Sequence, residues 1–217
     1  VDKMRYLIVC GGKIDKEFGL NEIKTDGIDA IIAADSGMDF LYENGVTPDI
    51  IVGDFDSTTT NALEYFERKG QTEIRRLNPI KDDTDTEYAI RLAISEGARS
   101  IVLLGATGSR IDHVLGNISL LGIGLESGTD ISIIDTNNRI RMADKPVTIE
   151  KSAQYGRFVS LIALTDDNEV SLKGFKYPVT DYSFDRFTSL GISNEIVDDH
   201  ALIDIHRGKF IIIESKD

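Results

Sequence analysis

Short apolar runs recur at regular intervals between Tyr6 and Asp135, and most of them end at a glycine or an aspartate. A run that is apolar on both faces predicts a strand buried on both sides of a sheet. The predicted strands are residues 6–10, 30–34, 50–52, 73–77, 101–104 and 131–134.

Helical spacing of apolar residues fills the intervals between these runs. Ala89, Ile90 and Ala93 share one face of a helix predicted over residues 86–96, with Gly97 as its end. Weaker patterns predict helices after Gly37 and over residues 62–70 and 114–125. Buried strands that alternate with helices predict a parallel sheet covered on both faces.

The pattern changes after about residue 136, where helical spacing disappears. Short β-rich runs separated by turn residues predict an antiparallel sandwich or barrel-like domain. These runs are residues 140–142, 147–149, 158–164, 170–172, 201–205 and 210–213. We therefore expect an α/β domain over residues 1–137 and an all-β domain over residues 138–217.

Polar, glycine-containing segments follow four of the predicted parallel strands. They are residues 11–12, 35–37, 53–57 and 105–112. In an open α/β sheet the ligand crevice lies outside the carboxyl ends of the strands. We expect these four segments to converge on one site.

Asp54 and Asp56 come directly after the strand at 50–52 and Gly53. In extended backbone residues i and i+2 point to the same side, so the two carboxylates would repel each other. Mg²⁺ removes that repulsion, because it is bound by one or two carboxylates together with water and substrate phosphates. An equally weighted alternative is a polar turn in which Asp56 or Ser57 caps the next helix.

A second acidic run, Asp82-Asp83-Thr84-Asp85, precedes the helix at 86–96. One acidic residue is enough to stabilise the helix through its dipole, and this run has three. Asp85 is therefore favoured as a metal ligand, Asp82 is equally compatible with capping and with metal binding, and Asp83 is expected to face solvent.

The loop at residues 105–110 joins a strand to a helix and is rich in small residues. Its backbone N–H groups and the helix start favour an anion, although the lysine of a Walker loop is absent. Arg110 suits bidentate phosphate binding. Asp112 could bind Arg110 or a ligand hydroxyl. A histidine at the start of a helix, such as His113, is more often a structural hydrogen-bonding residue than a catalyst. Asp35 could bind a ribose hydroxyl, face the metal or cap a helix.

Charge and cysteine content narrow the function. The chain has 217 residues with 24 basic and 37 acidic side chains, a net charge of −13. No basic face is expected, so nucleic acid is a poor partner and a cationic small molecule a better one. The single cysteine, Cys10, is expected to be an inert core thiol in a reducing, cytoplasmic setting. No apolar run is long enough for a membrane span.

Together these motifs resemble the thiamine pyrophosphokinase family along nearly the whole chain. The resemblance rests on the order and spacing of Ala34-Asp35-Ser36-Gly37, Pro48-Asp49, Gly53-Asp54-Phe55-Asp56-Ser57, Asp82-Asp83-Thr84-Asp85, Gly105 to Gly108 with Arg110-Ile111-Asp112-His113 and Asn117, Gly174-Phe175-Lys176-Tyr177-Pro178, and Ser193-Asn194-Glu195.

The resemblance implies a Rossmann-like ATP domain, a thiamine-binding β-sandwich, and a homodimer whose active sites lie between the first domain of one subunit and the second domain of the other. The reaction would convert ATP and thiamine to AMP and thiamine diphosphate.

The resemblance also implies the site residues. Mg²⁺ would be bound by Asp54, Asp56 and Asp85, which with Arg110 form the implied catalytic set. The residues implied in nucleotide binding are Asp35, Ser36, Gly37, Ser57, Asp82, Thr84, Gly105, Thr107, Gly108, Arg110, Asp112 and His113. The residues implied in thiamine binding are Tyr177, Ser193 and Asn194. Some members of the family carry tryptophan at the position of Tyr177.

Two rival functions remain. The segment from Val52 to Thr58 also fits the strand-then-DxDxT pattern of a haloacid-dehalogenase-type phosphatase, in which Asp54 would form an aspartyl-phosphate. The early position of the next acidic run and the all-β second domain speak against it. A nucleotide or thiamine sensor without activity should lack a complete metal set, and the sequence contains one.

Overall fold

The computed structural model describes residues 4–55, 61–78 and 83–217. The chain forms two compact units, Val1–Thr136 and Asn137–Asp217, each with its own core. The division falls one residue before the position expected from the sequence. Asp56, Ser57 and Asp82, which are predicted site residues, lie outside the described residues.

A parallel sheet forms the centre of the first unit. Its strands are β1 (Arg5–Val9), β2 (Ala30–Ala34), β3 (Ile50–Gly53), β4 (Glu73–Arg76), β5 (Ser100–Leu104) and β6 (Asp130–Ile134). The order is β6-β5-β1-β2-β3-β4, and each pair of neighbours is parallel. Strands β1, β3 and β5 are almost wholly buried, as expected for a sheet covered on both faces.

Helices connect these strands. They are α1 (Lys16–Ile23), α2 (Gly37–Glu43), α3 (Ala62–Lys69), α4 (Asp85–Ser95), α5 (Ile111–Leu120) and α6 (Gly122–Ser127). The prediction of one helix over 114–125 was wrong, because the chain turns at Leu121 and starts a new helix. Within α6, Gly124 packs closely against the segment that leads into β6, since a Cβ there would lie 2.6 Å from the Thr129 carbonyl oxygen. Helix α1 was not predicted.

The second unit is entirely β apart from one short 3₁₀ turn, which confirms the all-β expectation. Its strands are β7 (Asn138–Ala143), β8 (Val147–Glu150), β9 (Phe158–Ala163), β10 (Glu169–Lys173), β11 (Val179–Ser183), β12 (Asn194–Glu195), β13 (His200–Arg207) and β14 (Phe210–Ser215). Antiparallel pairing gives the orders β12-β9-β14-β7 and β11-β10-β13-β8. Side chains from both groups of strands share one core, among them Val159, Val170, Ile203 and Phe210.

Parallel pairing places the carboxyl ends of β1, β2, β3 and β5 at one edge of the first unit's sheet. The polar segments that follow these strands are therefore neighbours in space, as the sequence predicted. Within the described parts of the chain, no helix is both long and apolar enough to cross a membrane.

Candidate functional site

Three carboxylates meet at this edge of the sheet. Asp35 follows β2, Asp54 follows β3 and Asp85 is the first residue of α4. One carboxylate oxygen from each lies within 4.8 Å of the other two, and all three residues are partly buried. Three negative charges this close repel one another, so the cluster has the composition and spacing of a cation site. The sequence left ribose binding, metal facing and helix capping open for Asp35, and the structure places its carboxylate in the cluster.

The backbone around two of these acids is strained. Asp35 has a φ of +48° and Phe55, beside Asp54, a φ of +63°, in the region that favours glycine. Gly53 lets the ends of β2 and β3 approach, because a Cβ there would lie 3.2 Å from the Asp35 Cα. The Asp35 N–H donates to the Val52 carbonyl at 2.8 Å. Strain of this kind concentrates at functional sites, where surrounding contacts maintain it.

Thr84 and Asp85 open helix α4. The Thr84 side chain accepts a hydrogen bond from the Glu87 N–H at 3.2 Å, which makes Thr84 the N-cap. Asp85 therefore stands at the positive end of the helix dipole, which stabilises its carboxylate. The capping interpretation of this acidic run holds for Thr84, while Asp85 lies in the carboxylate cluster.

A cavity of about 590 Å³ lies beside the cluster. The predicted nucleotide residues that line it are Asp35, Ser36, Thr84, Gly105, Thr107, Gly108, Arg110 and His113, and the predicted metal ligand Asp85 lines it as well. Gly37 is not on the lining, and its missing side chain instead admits the Val9 carbonyl, with which a Cβ would collide. The lining also contains residues that were not assigned a role, namely Cys10, Gly11, Gly12, Lys13, Ala34, Thr86, Ala106, Ser109 and Asn117.

Three hydrogen bonds fix the loop at residues 105–110. The Gly12 N–H donates to the Gly105 carbonyl at 2.8 Å. The Asn117 side-chain amide donates to the Ala106 carbonyl, also at 2.8 Å. The Thr107 hydroxyl donates to the Asp135 carboxylate at 2.8 Å. The loop is thus held by the segment after β1, by α5 and by the residue that follows β6. The sequence indicates Asn117 only through the family motif, and no feature of its pattern indicates Asp135.

Arg110, the last residue of the loop, forms a bidentate ion pair with Asp112. The guanidinium Nε lies 3.2 Å from Oδ1 and Nη2 lies 2.6 Å from Oδ2. This hydrogen bonding raises the pKa of Arg110 and lowers the pKa of Asp112. Of the two alternatives left open for Asp112, the structure shows the one in which it holds Arg110. Asp112 does not line the cavity.

Cys10 forms part of the cavity wall, yet its side chain is buried. Burial raises the pKa of its thiol to about 11, and the hydrogen bond from the Thr86 hydroxyl at 3.7 Å opposes that shift only weakly. A thiol with this pKa is almost wholly protonated at neutral pH, which makes it a poor nucleophile and a poor metal ligand.

The predicted vitamin contacts lie in the second unit. Tyr177 is 61% exposed, whereas Asn194 is buried. The Asn194 Oδ1 accepts from the Tyr177 and Glu195 N–H groups at 3.1 and 2.9 Å, and its Nδ2 donates to the Tyr177 carbonyl at 2.9 Å. These bonds occupy most of the Asn194 amide. Ser193 has a φ of +61°, and its N–H donates to the Ser160 hydroxyl at 3.0 Å.

Glu195 forms ion pairs with two basic side chains beside this segment. It accepts from Lys176 at 2.9 Å and from Arg157 at 2.8 Å. Lys176 and then Arg157 lower the pKa of Glu195, and Glu195 in turn raises the pKa of Lys176. The Lys176 ammonium also lies 5.6 Å from the centroid of the Tyr177 ring, within cation–π range.

Both units match known protein families. Residues 24–133 match the family model described as "Thiamin pyrophosphokinase, catalytic domain". Residues 146–210 match the model described as "Thiamin pyrophosphokinase, vitamin B1 binding domain". Thiamine pyrophosphokinase of Bacillus subtilis strain 168 is 34% identical over 188 residues, which are 86% of this chain and 87% of that protein.

Solved structures show the same similarity. Thiamine pyrophosphokinase from Bacillus subtilis superposes with a TM-score of 0.88 at 31% identity, over 98% of this chain and 99% of that one. The enzyme from Geobacillus thermodenitrificans gives 0.85 at 29% identity, over 99% and 98% of the two chains. The yeast protein, at 18% identity and a TM-score of 0.81 over 99% and 87%, shows that the fold is shared.

Proposed function

The chain belongs to the thiamine pyrophosphokinase family and is an enzyme of that family, and we propose that it transfers diphosphate from ATP to the hydroxyl of thiamine, giving AMP and thiamine diphosphate. The observation that carries the proposal is the meeting of Asp35, Asp54 and Asp85 within 4.8 Å, beside a cavity also lined by a small-residue loop with Arg110. The similarities described above give no support to the phosphatase alternative.

We propose that the carboxylate cluster binds Mg²⁺. Two oxygens on opposite sides of one Mg²⁺ lie about 4.2 Å apart, so side chains within 4.8 Å need only a small movement to coordinate it. When bound, the ion would neutralise charge on the polyphosphate and orient it for in-line attack. Asp35, Asp54 and Asp85 are the proposed ligands, and Asp56 stays a predicted fourth.

The first unit is proposed to bind ATP as a Rossmann-like domain. The supporting features are the parallel sheet and the position of the cavity at the carboxyl ends of its strands. Backbone N–H groups of residues 105–110 and the Arg110 guanidinium would donate to phosphate oxygens. A loose phosphoryl-transfer transition state needs little base assistance, so a nearby carboxylate suffices to accept the thiamine hydroxyl proton.

The second unit is proposed to contribute the thiamine contacts. The exposed Tyr177 ring offers a π-face to the cationic thiazolium, and the exposed Ser193, which precedes Asn194, offers a hydroxyl. We also propose a homodimer with active sites shared between subunits. Exposed apolar side chains on both units support assembly: Ile111 and Leu115 of α5 are 66% and 60% exposed, and Phe187 is 93% exposed. The reduced, buried Cys10 fits a cytoplasmic setting.

An assay of products tests the proposed reaction. With ATP, Mg²⁺ and thiamine present, we expect AMP and thiamine diphosphate in equal amounts. ADP would indicate an ordinary kinase, free phosphate a phosphatase, and ligand binding without turnover a sensor. Mg²⁺ with nucleotide should also raise the melting temperature by mass action, since the ligands bind only the folded chain.

A further inference from the structure

Lys13 lines the cavity and lies on the segment that follows β1. The two residues before it are glycines with no room for a side chain. A Cβ at Gly11 would collide with the Ser36 hydroxyl, and one at Gly12 with the Gly105 carbonyl. The Gly12 N–H also donates to that carbonyl at 2.8 Å. Residues 11–12 are therefore packed between the loops after β2 and β5, which fixes the backbone position from which the Lys13 side chain extends.

The charges on the cavity lining make Lys13 distinctive. Lys13 and Arg110 are the lysine and arginine side chains among the described lining residues. Arg110 is already paired with Asp112, with an Nη2 to Oδ2 distance of 2.6 Å. Lys13 is exposed and has no ion pair or side-chain hydrogen bond with any part of the chain that the structure describes. Removing its ammonium would therefore break no ion pair or hydrogen bond with the described residues.

A nucleoside triphosphate keeps net negative charge after it binds one divalent cation, and an ammonium within reach lowers the cost of placing that charge beside three carboxylates. We propose that the Lys13 ammonium binds the polyphosphate of the nucleotide in this cavity. The inference rests on the proposed function for the identity of the ligand. It adds a contact outside residues 24–133, the segment that matches the catalytic family model.

Calorimetric titration with ATP and Mg²⁺, and separately with adenosine, tests the assignment. Lys13→Met should weaken ATP binding about tenfold or more, the usual loss for one charge-assisted hydrogen bond, and leave adenosine binding unchanged. Lys16→Met is the matched control. Lys16 is the exposed first residue of α1, does not line the cavity, and loses the same charge. Its ATP affinity should equal that of the wild type. Lys13→Arg should retain most of the affinity.

Several outcomes would overturn the assignment. Unchanged ATP affinity in Lys13→Met would remove it directly. An equal loss for adenosine would indicate a general change of the cavity, and an equal loss in Lys16→Met would indicate the field of the whole protein. Wild-type protein that binds no ATP would contradict the proposed function and this inference together, so the two failures are distinguishable.

Discussion

The two candidate binding regions are built in opposite ways. In the first unit, Asp35, Asp54 and Asp85 come from three separate elements and bring like charges within 4.8 Å. In the second unit, Tyr177, Asn194 and Glu195 come from two adjacent segments and hydrogen-bond one another. Folding alone does not favour the first arrangement, whereas the second satisfies its own polar groups. The first arrangement is the one that favours the proposed bound cation, and the second supports an exposed aromatic ring.

The largest expected effect follows from removing one charge of the carboxylate cluster. Asp85→Asn should lower kcat by about 100-fold or more, because a metal ligand contributes several kcal/mol of transition-state stabilisation. The melting temperature without metal should stay equal or rise, since like-charge repulsion is relieved. Steady-state assays measure kcat. Thermal melts measure the melting temperature, and circular dichroism is the signal of choice because the chain has no tryptophan for fluorescence.

Asp83→Asn is the matched control for this prediction. Asp83 lies two residues earlier in the same acidic run and is exposed. Its loss should leave turnover near the wild-type value. Near-normal turnover in Asp85→Asn, or equal losses in both variants, would contradict the metal assignment and with it the contrast between the two regions.

The sequence predicts the first region better than the second for a physical reason. Strand alternation and parallel pairing determine which segments meet at a sheet edge, so the convergence of residues around 35, 54 and 105 could be expected. The hydrogen-bond partners of Asn194 depend on contacts across a loop, which no local spacing encodes. The family resemblance implies that Asn194 contacts thiamine, which stays a prediction, and the structure adds that its amide is bonded to the Tyr177 backbone.

Three other features were missed because their signals were weak. Helix α1 has little amphipathic contrast, and its clearest mark is the Asp15 N-cap, which accepts from the Phe18 N–H at 2.9 Å. Lys13 is a single lysine in a loop, with no motif around it. The break at Leu121 follows apolar residues that continue on both sides, so hydrophobic spacing alone does not reveal it.

A smaller effect is expected from Asn194→Ala. The substitution leaves the Tyr177 N–H and carbonyl and the Glu195 N–H without their partner, which should cost about 1–3 kcal/mol of stability. If Asn194 positions the Tyr177 segment, KM for thiamine should also rise several-fold while KM for ATP is unchanged. Denaturant titration and steady-state kinetics provide the two measurements.

Tyr177→Ala separates positioning from folding. Because Tyr177 is 61% exposed, its truncation should raise KM for thiamine with little loss of stability. Should Asn194→Ala lower stability and leave KM for thiamine unchanged, Asn194 supports the fold alone. Should Tyr177→Ala also leave that KM unchanged, the second region does not bind the vitamin through this ring.

The smallest expected effect concerns pH, and it extends the comparison to ionisable groups. Exposed pairing shifts the pKa of Glu195 and Lys176, whereas burial raises the pKa of Cys10 from 9.0 to about 11. The unfolded thiol ionises first as pH rises, so its contribution is intact below pH 9 and is lost between pH 9 and 11, about 1.4 kcal/mol by pH 10. Denaturant unfolding at pH 8 and pH 10 should therefore show a smaller fall in stability for Cys10→Ala than for the wild type. The substitution also removes packing, so the comparison is between the two falls and not between absolute stabilities. Equal falls would mean that the thiol at the cavity wall titrates as it does in water, and that the first region is more open to solvent than its burial implies.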